Sequence, residues 1–371
     1  MKFKPRTFLK LRTYDLKLFR IFPDMKIEQL TFTRFLAAVL IIIYHFGRNA
    51  FPFNLEPISF VFAHAYIGVS YFFILSGFIM IIAYGKHSSI NTPAFFRNRF
   101  VRIYPVYFIA LVLMFIYTIY LNGSISYKEI LLNLFTLQAW VPGEARTING
   151  PAWTICAEFF FYAIFPLLFN RIYSRYTFKQ LIIPVLLIWL ASQLIFHWIY
   201  YSDIYSGYPS RIHDFSYYFP LMHLSTFLIG NLAGLFFLRN YEKYQGNYDW
   251  LILVLFSLIL FTLKNPIDLN FHNGLLAVLF VPLILLIALN KGFLTRISKR
   301  EIFVFLGDIS FGIYILQFPM FIVAGRILKE LKIEDSVIVF YFSFAFLLMV
   351  SIASYLFVEK PLREKYRVRS T

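Results

Sequence analysis

A chain of 371 residues with 60% apolar and only 15% charged residues lies far from the roughly 25% charged share of soluble domains. Its mean hydropathy of +0.68 excludes an ordinary water-soluble globule. A formal net charge of +16 raises nucleic acid as a partner, but the basic residues are dispersed between apolar runs, so membrane topology accounts for them and no nucleic acid is expected.

Residues 1–26 carry eight Lys and Arg and run into the first apolar stretch without a small-residue cleavage site. They predict a basic cytoplasmic segment lying on anionic lipid, not a removable signal. Apolar runs follow near 28–47, 61–84, 103–121, 153–170, 180–201, 216–238, 250–265, 273–290, 302–325 and 336–357. Each approaches the about 20 residues that cross a bilayer, so the fold class expected is all-α, a polytopic transmembrane bundle of about ten spans. That bundle forms one domain over 27–358, followed by a basic cytoplasmic tail at 359–371. Little chain remains for a further soluble domain, and any chemistry must lie inside the bundle. The stretch 131–140, LLNLFTLQAW, is too short to cross and reads as an interfacial or re-entrant piece. No internal repeat is visible.

With the N-terminus inside, the inner segments hold 26 Lys and Arg and the outer ones eight, Arg34 alone lying within a span. Cytoplasmic connectors retain positive charge, so both termini are expected in the cytoplasm.

Ionisable residues inside apolar spans cost about 2.5–3.5 kcal/mol on insertion scales and point to function. The first span, LTFTRFLAAVLIIIYHF, holds Arg34 and His45. Eleven residues at about 100° each put both on one helix face about 16 Å apart. Alternatively, Arg34 snorkels to the inner headgroups and His45 marks the outer interface. At the mouth of the third span, FFRNRFVRIYPVYF groups Arg97, Arg99 and Arg102. They suit either topology or a phosphate clamp, since guanidinium forks match phosphate oxygens. Tyr104-Pro105 is expected to fix where that helix begins.

The fourth span, PAWTICAEFFFYAIFPLLF, carries Glu158 about 7–8 Å below Trp153. A carboxylate there should protonate or find a partner, and an imidazole at matching depth, His45, is the partner expected. Tyr162 shares a face with Glu158. Cys156, the one cysteine, could carry an acyl group, but a lone thiol in an apolar helix is usually packing.

Six stretches together resemble the acyltransferase-3 family of membrane proteins that O-acylate bacterial surface polysaccharides. They are TRFLAAVLIIIYH, IGVSYFFILSGFIM, RNRFVRIYPVYF, PAWTICAEFFFYAIFPLL, LGDISFGIYILQFP and VEKP. The resemblance implies an O-acetyltransferase of the bacterial inner membrane that takes acetyl-CoA as donor and a sugar or glycolipid hydroxyl as acceptor. It needs no metal, and its partners are the acyl-CoA, the acceptor and membrane lipids. It further implies that His45 is catalytic with Glu158 assisting, and that Arg34, Arg99 and Arg102, with Tyr104 beside them, contact the donor. The Ser76-Gly77 turn, Trp153, Tyr162, Ser310, Tyr314 and Glu359 fall on other recurrent positions. Two departures stand out: Ser70 where many members are acidic, and Gln317 where many have histidine. A transporter or flippase of a lipid-linked sugar is the rival, but its expected signature is two related halves with broken helices at corresponding positions.

Overall fold

The computed structural model describes residues 27–366 except 86 and 122; the basic segment 1–26 and the end of the tail lie outside the described residues. Among those residues, regular structure is helical, apart from an isolated bridge between Gly246 and Asn290. The protein is an all-α polytopic bundle.

In chain order the helices are α1 (Glu28–Ile42), α2 (Glu56–Ala63), α3 (Ile67–Tyr84), α4 (Thr92–Tyr120), α5 (Tyr127–Leu134), α6 (Trp153–Leu168), α7 (Phe178–Tyr201) and α8 (Arg211–Tyr218). They continue as α9 (Leu224–Asn240), α10 (Asp249–Lys264), α11 (Ala277–Leu289), α12 (Phe293–Ser298), α13 (Glu301–Asp308), α14 (Ser310–Glu330), α15 (Ser336–Ser354) and α16 (Lys360–Tyr366). Wide π-type turns extend α1 over Ile43–Gly47, α6 over Phe169–Tyr173 and α15 over Tyr355–Glu359.

All ten expected runs are helical, and eight helical stretches among the described residues are long and apolar enough to cross a membrane. The other two, α10 and α11, have 16 and 13 residues. At 1.5 Å per residue they reach about 24 and 20 Å against a hydrocarbon core of about 30 Å. Asn265-Pro266 follows the end of α10, and the loop His272–Gly274, with Gly274 at φ +83°, precedes α11. Three expected spans are also divided: residues 64–66 separate α2 from α3, residues 219–223 separate α8 from α9, and Ile309 separates α13 from α14.

Two apolar clusters share α1 and α3: one continues through α4, α6 and α14, the other through α9, α10 and α11. Lipid supplies no hydrophobic drive between helices, so close packing must hold them together. Glycines permit it. A methyl on Gly77 would meet the Phe227 carbonyl, and one on Gly230 the Ile74 carbonyl, so α3 and α9 touch backbone to backbone. Gly307 of α13 lies in the same way on the Thr31 carbonyl of α1. At the rim, α7 turns Ile183, Leu187, Leu194 and Trp198 outward, each more than half exposed, as a lipid-facing helix should.

Candidate functional site

Helix α4 begins well before Tyr104-Pro105, which corrects the expected start. Asn91 caps it by accepting from the Ala94 N–H, a proline lies in its first turn, and Pro105 sits inside it. The arginine segment is therefore helical, and Arg99 and Arg102 project from α4 toward one neighbourhood. Arg34 of α1 enters the same neighbourhood, as do Glu158 and Tyr162 of α6, Glu359 of the last wide turn and Arg363 of α16. Arg102, Arg34 and Arg99 all act electrostatically on Glu158, and Arg102, Arg363 and Arg34 act on Glu359.

Three rings surround the Arg99 guanidinium: Tyr84 at 5.6 Å, Phe95 at 5.5 Å and Tyr162 at 5.7 Å. The Tyr162 hydroxyl donates to Glu158 Oε1 at 3.1 Å. Among the described residues, however, the one ion pair within 4.0 Å is Lys128–Glu144, which includes no member of this group. Arg99 Nε and Glu359 Oε1 are buried without a hydrogen-bond partner. Leaving a buried polar atom unpaired costs about 1–3 kcal/mol. The unpartnered Arg99 Nε thus keeps a charge-assisted donor for an anionic ligand.

The other end of α1 carries His45, within the wide turn Ile43–Gly47. Its Nδ1 lies 2.8 Å from Gln317 Oε1, and Gln317 Nε2 donates to the Tyr314 carbonyl at 2.6 Å. The ring packs edge-on against Phe318 at 5.4 Å. Arg146 and Arg48 are the cations that act on it. Arg48 stands over Tyr44 at 5.1 Å, and Arg146 over Tyr208 at 5.3 Å and Tyr218 at 5.9 Å.

The expected His45–Glu158 pair does not form: His45 bonds Gln317, and Glu158 lies with the arginines. Asn149, Ala152 and Trp153 are already buried, at 0%, 0% and 6% exposure, and Glu158, five residues after Trp153, bonds Tyr162 and feels Arg102, Arg34 and Arg99. Tyr104 is not brought to the arginines either. Its hydroxyl donates to the Leu134 carbonyl at 2.8 Å, and its ring stacks on Phe100 at 4.4 Å.

The Ser76-Gly77 pair is no turn but the middle of α3. Ser310 donates to the Gly307 carbonyl at 2.7 Å, closing the α13–α14 junction. Trp153 packs against His223 and Tyr218, both at 5.1 Å. Tyr314 accepts from Thr154 at 3.1 Å and donates to the Pro151 carbonyl at 3.3 Å. Ser70, the first departure, donates to the His272 carbonyl at 2.5 Å. Cys156 is buried in the core of α6, as packing requires. Sequence reasoning missed the pairing of Gln317 with His45, and missed Arg146 and Arg363. A buried glutamine in an apolar span was itself a signal.

Residues 27–358 match a family model described as an acyltransferase domain. Among curated proteins, acyltransferase MdmB of Streptomyces mycarofaciens is 27% identical over 159 residues, covering 40% of each chain. Protein 2 in the picA locus of Rhizobium radiobacter is 33% identical over 147 residues, 33% of this chain and 73% of the relative. The exopolysaccharide production protein ExoZ of Rhizobium meliloti is 33% identical over 103 residues, 26% of this chain and 32% of the relative. The chain thus spans less than half the length of MdmB and of ExoZ. No solved structure matches.

Proposed function

The chain belongs to the acyltransferase-3 family, and from that premise we propose that it moves an acyl group, most simply acetyl, from a cytosolic CoA thioester to a hydroxyl of a cell-envelope sugar. The observation that carries this reading is that α1 joins two polar clusters: Arg34 stands with Arg102 and with Arg99, whose Nε is unpartnered, and His45, eleven residues on, faces Gln317. That separation is about 16 Å along a helix, a span suited to a donor with a charged head and a long uncharged arm.

In this reading the nucleotide phosphates of the donor dock on Arg34, Arg99 and Arg102, whose forks match phosphate oxygens. Glu158 and Glu359 set the spacing of those arginines. The arm follows α1 toward His45 and brings the thioester carbonyl to the imidazole. The acceptor approaches from the side of Arg48, Arg146, Tyr44 and Tyr218, where rings and cations offer stacking and hydrogen bonds to a sugar. His45 takes the proton of the acceptor hydroxyl as its oxygen attacks the thioester, a contribution of about 10²–10⁴ in rate. With Cys156 packed in the core, attack is direct and not relayed. ExoZ, named for exopolysaccharide production, favours an envelope glycan as acceptor. The enzyme resides in the inner membrane, with both termini in the cytoplasm.

The test is transfer of radiolabelled acetyl from acetyl-CoA to envelope glycans in membrane vesicles containing the protein or His45→Ala. Transfer by the wild type and none by an inserted His45→Ala variant is the expected result. Full activity in that variant would remove His45 from the mechanism.

A further inference from the structure

Histidine as a general base needs one ring nitrogen with a free lone pair, and which nitrogen is free depends on what the other one bonds. Around His45 that choice follows from one chain of contacts. The Tyr314 carbonyl can only accept, so the Gln317 nitrogen 2.6 Å away must be the donor, and this orients the amide. The Gln317 oxygen, likewise only an acceptor, then faces His45 Nδ1 at 2.8 Å. Nδ1 therefore carries the proton. Nε2 has no hydrogen-bond partner among the described residues and keeps its lone pair. Gln317 is itself 0% exposed, so water does not compete for either bond. The charges acting on His45, Arg48 and Arg146, are both cations, and neither can accept the Nδ1 proton.

We propose that Gln317 is the positioning residue of His45: anchored by the Tyr314 carbonyl, its amide fixes the imidazole as the Nδ1–H tautomer and leaves Nε2 free to take the acceptor's proton. The assignment of a catalytic task rests on the acyl-transfer reading above. The acceptor O–H bond breaks and its proton passes to Nε2. The oxygen then bonds the thioester carbonyl carbon, the C–S bond breaks, and the departing thiolate recovers the proton from the imidazolium. A residue without an acceptor at 317 frees the ring to protonate at Nε2, the form whose basic nitrogen, Nδ1, faces position 317 and not the acceptor. The glutamine that stands in place of a histidine is thus a replacement for one partner of the base and not a gap in the site.

The tests use two variants of the full chain in detergent or nanodiscs. Gln317→Met keeps the volume but cannot orient the ring. Gln317→Glu in its protonated form keeps both bonds, O–H to the Tyr314 carbonyl and carbonyl oxygen toward Nδ1. Turnover is read at saturating acetyl-CoA, and the His45 tautomer by nitrogen NMR of histidine-labelled protein, assigned by loss of the signal in His45→Gln. Gln317→Met should lower kcat by about 10- to 100-fold, the worth of one to two hydrogen bonds, with the donor KM unchanged and the ring proton moved from Nδ1. Gln317→Glu should keep the Nδ1–H form and most of the rate. An Nδ1–H ring in Gln317→Met, or wild-type kcat in that variant, overturns the proposal. The tautomer is measured without turnover, so a wild-type protein inert toward acetyl-CoA would count against the acyl-transfer reading alone, while the spectrum still decides the role of Gln317.

Discussion

Replacing Arg99 by lysine separates a phosphate contact from a merely topological charge. Arg99 Nε is buried and unpartnered, and its guanidinium lies 5.5–5.7 Å from three rings. Lysine keeps the charge but has no donor at the Nε position and no planar fork. If a donor phosphate accepts from Nε, its loss removes one charge-assisted hydrogen bond, about 1.5–3 kcal/mol. At 1.4 kcal/mol per tenfold, CoA binding should weaken by about 10- to 150-fold. The ligand-free protein should hardly change, because losing ring contacts worth about 0.5–2 kcal/mol is offset by removing a buried unsatisfied donor worth about 1–3 kcal/mol. Calorimetric titration with CoA gives the first quantity, and thermal unfolding in detergent without ligand gives the second. Wild-type affinity in Arg99→Lys would refute the phosphate contact. A collapse of the ligand-free protein would mean that Arg99 is held for packing.

Glu158→Gln should raise the donor KM while leaving the pH dependence of kcat in place, because Glu158 acts on Arg102, Arg34 and Arg99 and not on His45; a displaced pH profile would restore the His45–Glu158 pair. Gly230→Val should destabilise the bundle by about 1–3 kcal/mol through overpacking, since its side chain meets the Ile74 carbonyl. Gly325→Ala, with nothing within 4 Å, is the control, and equal unfolding midpoints would deny backbone contact between α3 and α9. Asp249→Ala removes the acceptor of Asn290 Nδ2 at 2.7 Å and of the Phe293 and Leu294 N–H groups at 2.6 and 3.2 Å. It should cost about 1–2 kcal/mol, as loss of a helix cap does; an unchanged midpoint would show that α12 starts without it.

The apolar runs were legible because bilayer thickness imposes a length that composition reports directly. The helix ends were less so. Composition cannot show that Asn149 and Ala152, in the segment before α6, are already buried, nor that Glu158 lies among guanidinium groups and not beside an imidazole. The Arg99–Arg102 face was readable from spacing alone once the segment was helical. The α3–α9 contact had a signal that went unread, Gly230 and Gly234 four residues apart in an apolar stretch, the small-residue pattern of close helix pairs.

His45 lies where α1 passes from α-helix into a wide turn. At 3.6 residues per turn, Arg34 and His45 share a face, and a single partner element could then serve both. The wide turn Ile43–Gly47 holds His45, and its imidazole meets α14 through Gln317. A second wide turn, Tyr355–Glu359, carries Glu359 to the arginines. Such turns sacrifice regular i→i+4 bonds and gather at functional sites for that reason. Here α1, with its wide turn, presents a cation to the residues of α4 and α6 and an imidazole to α14.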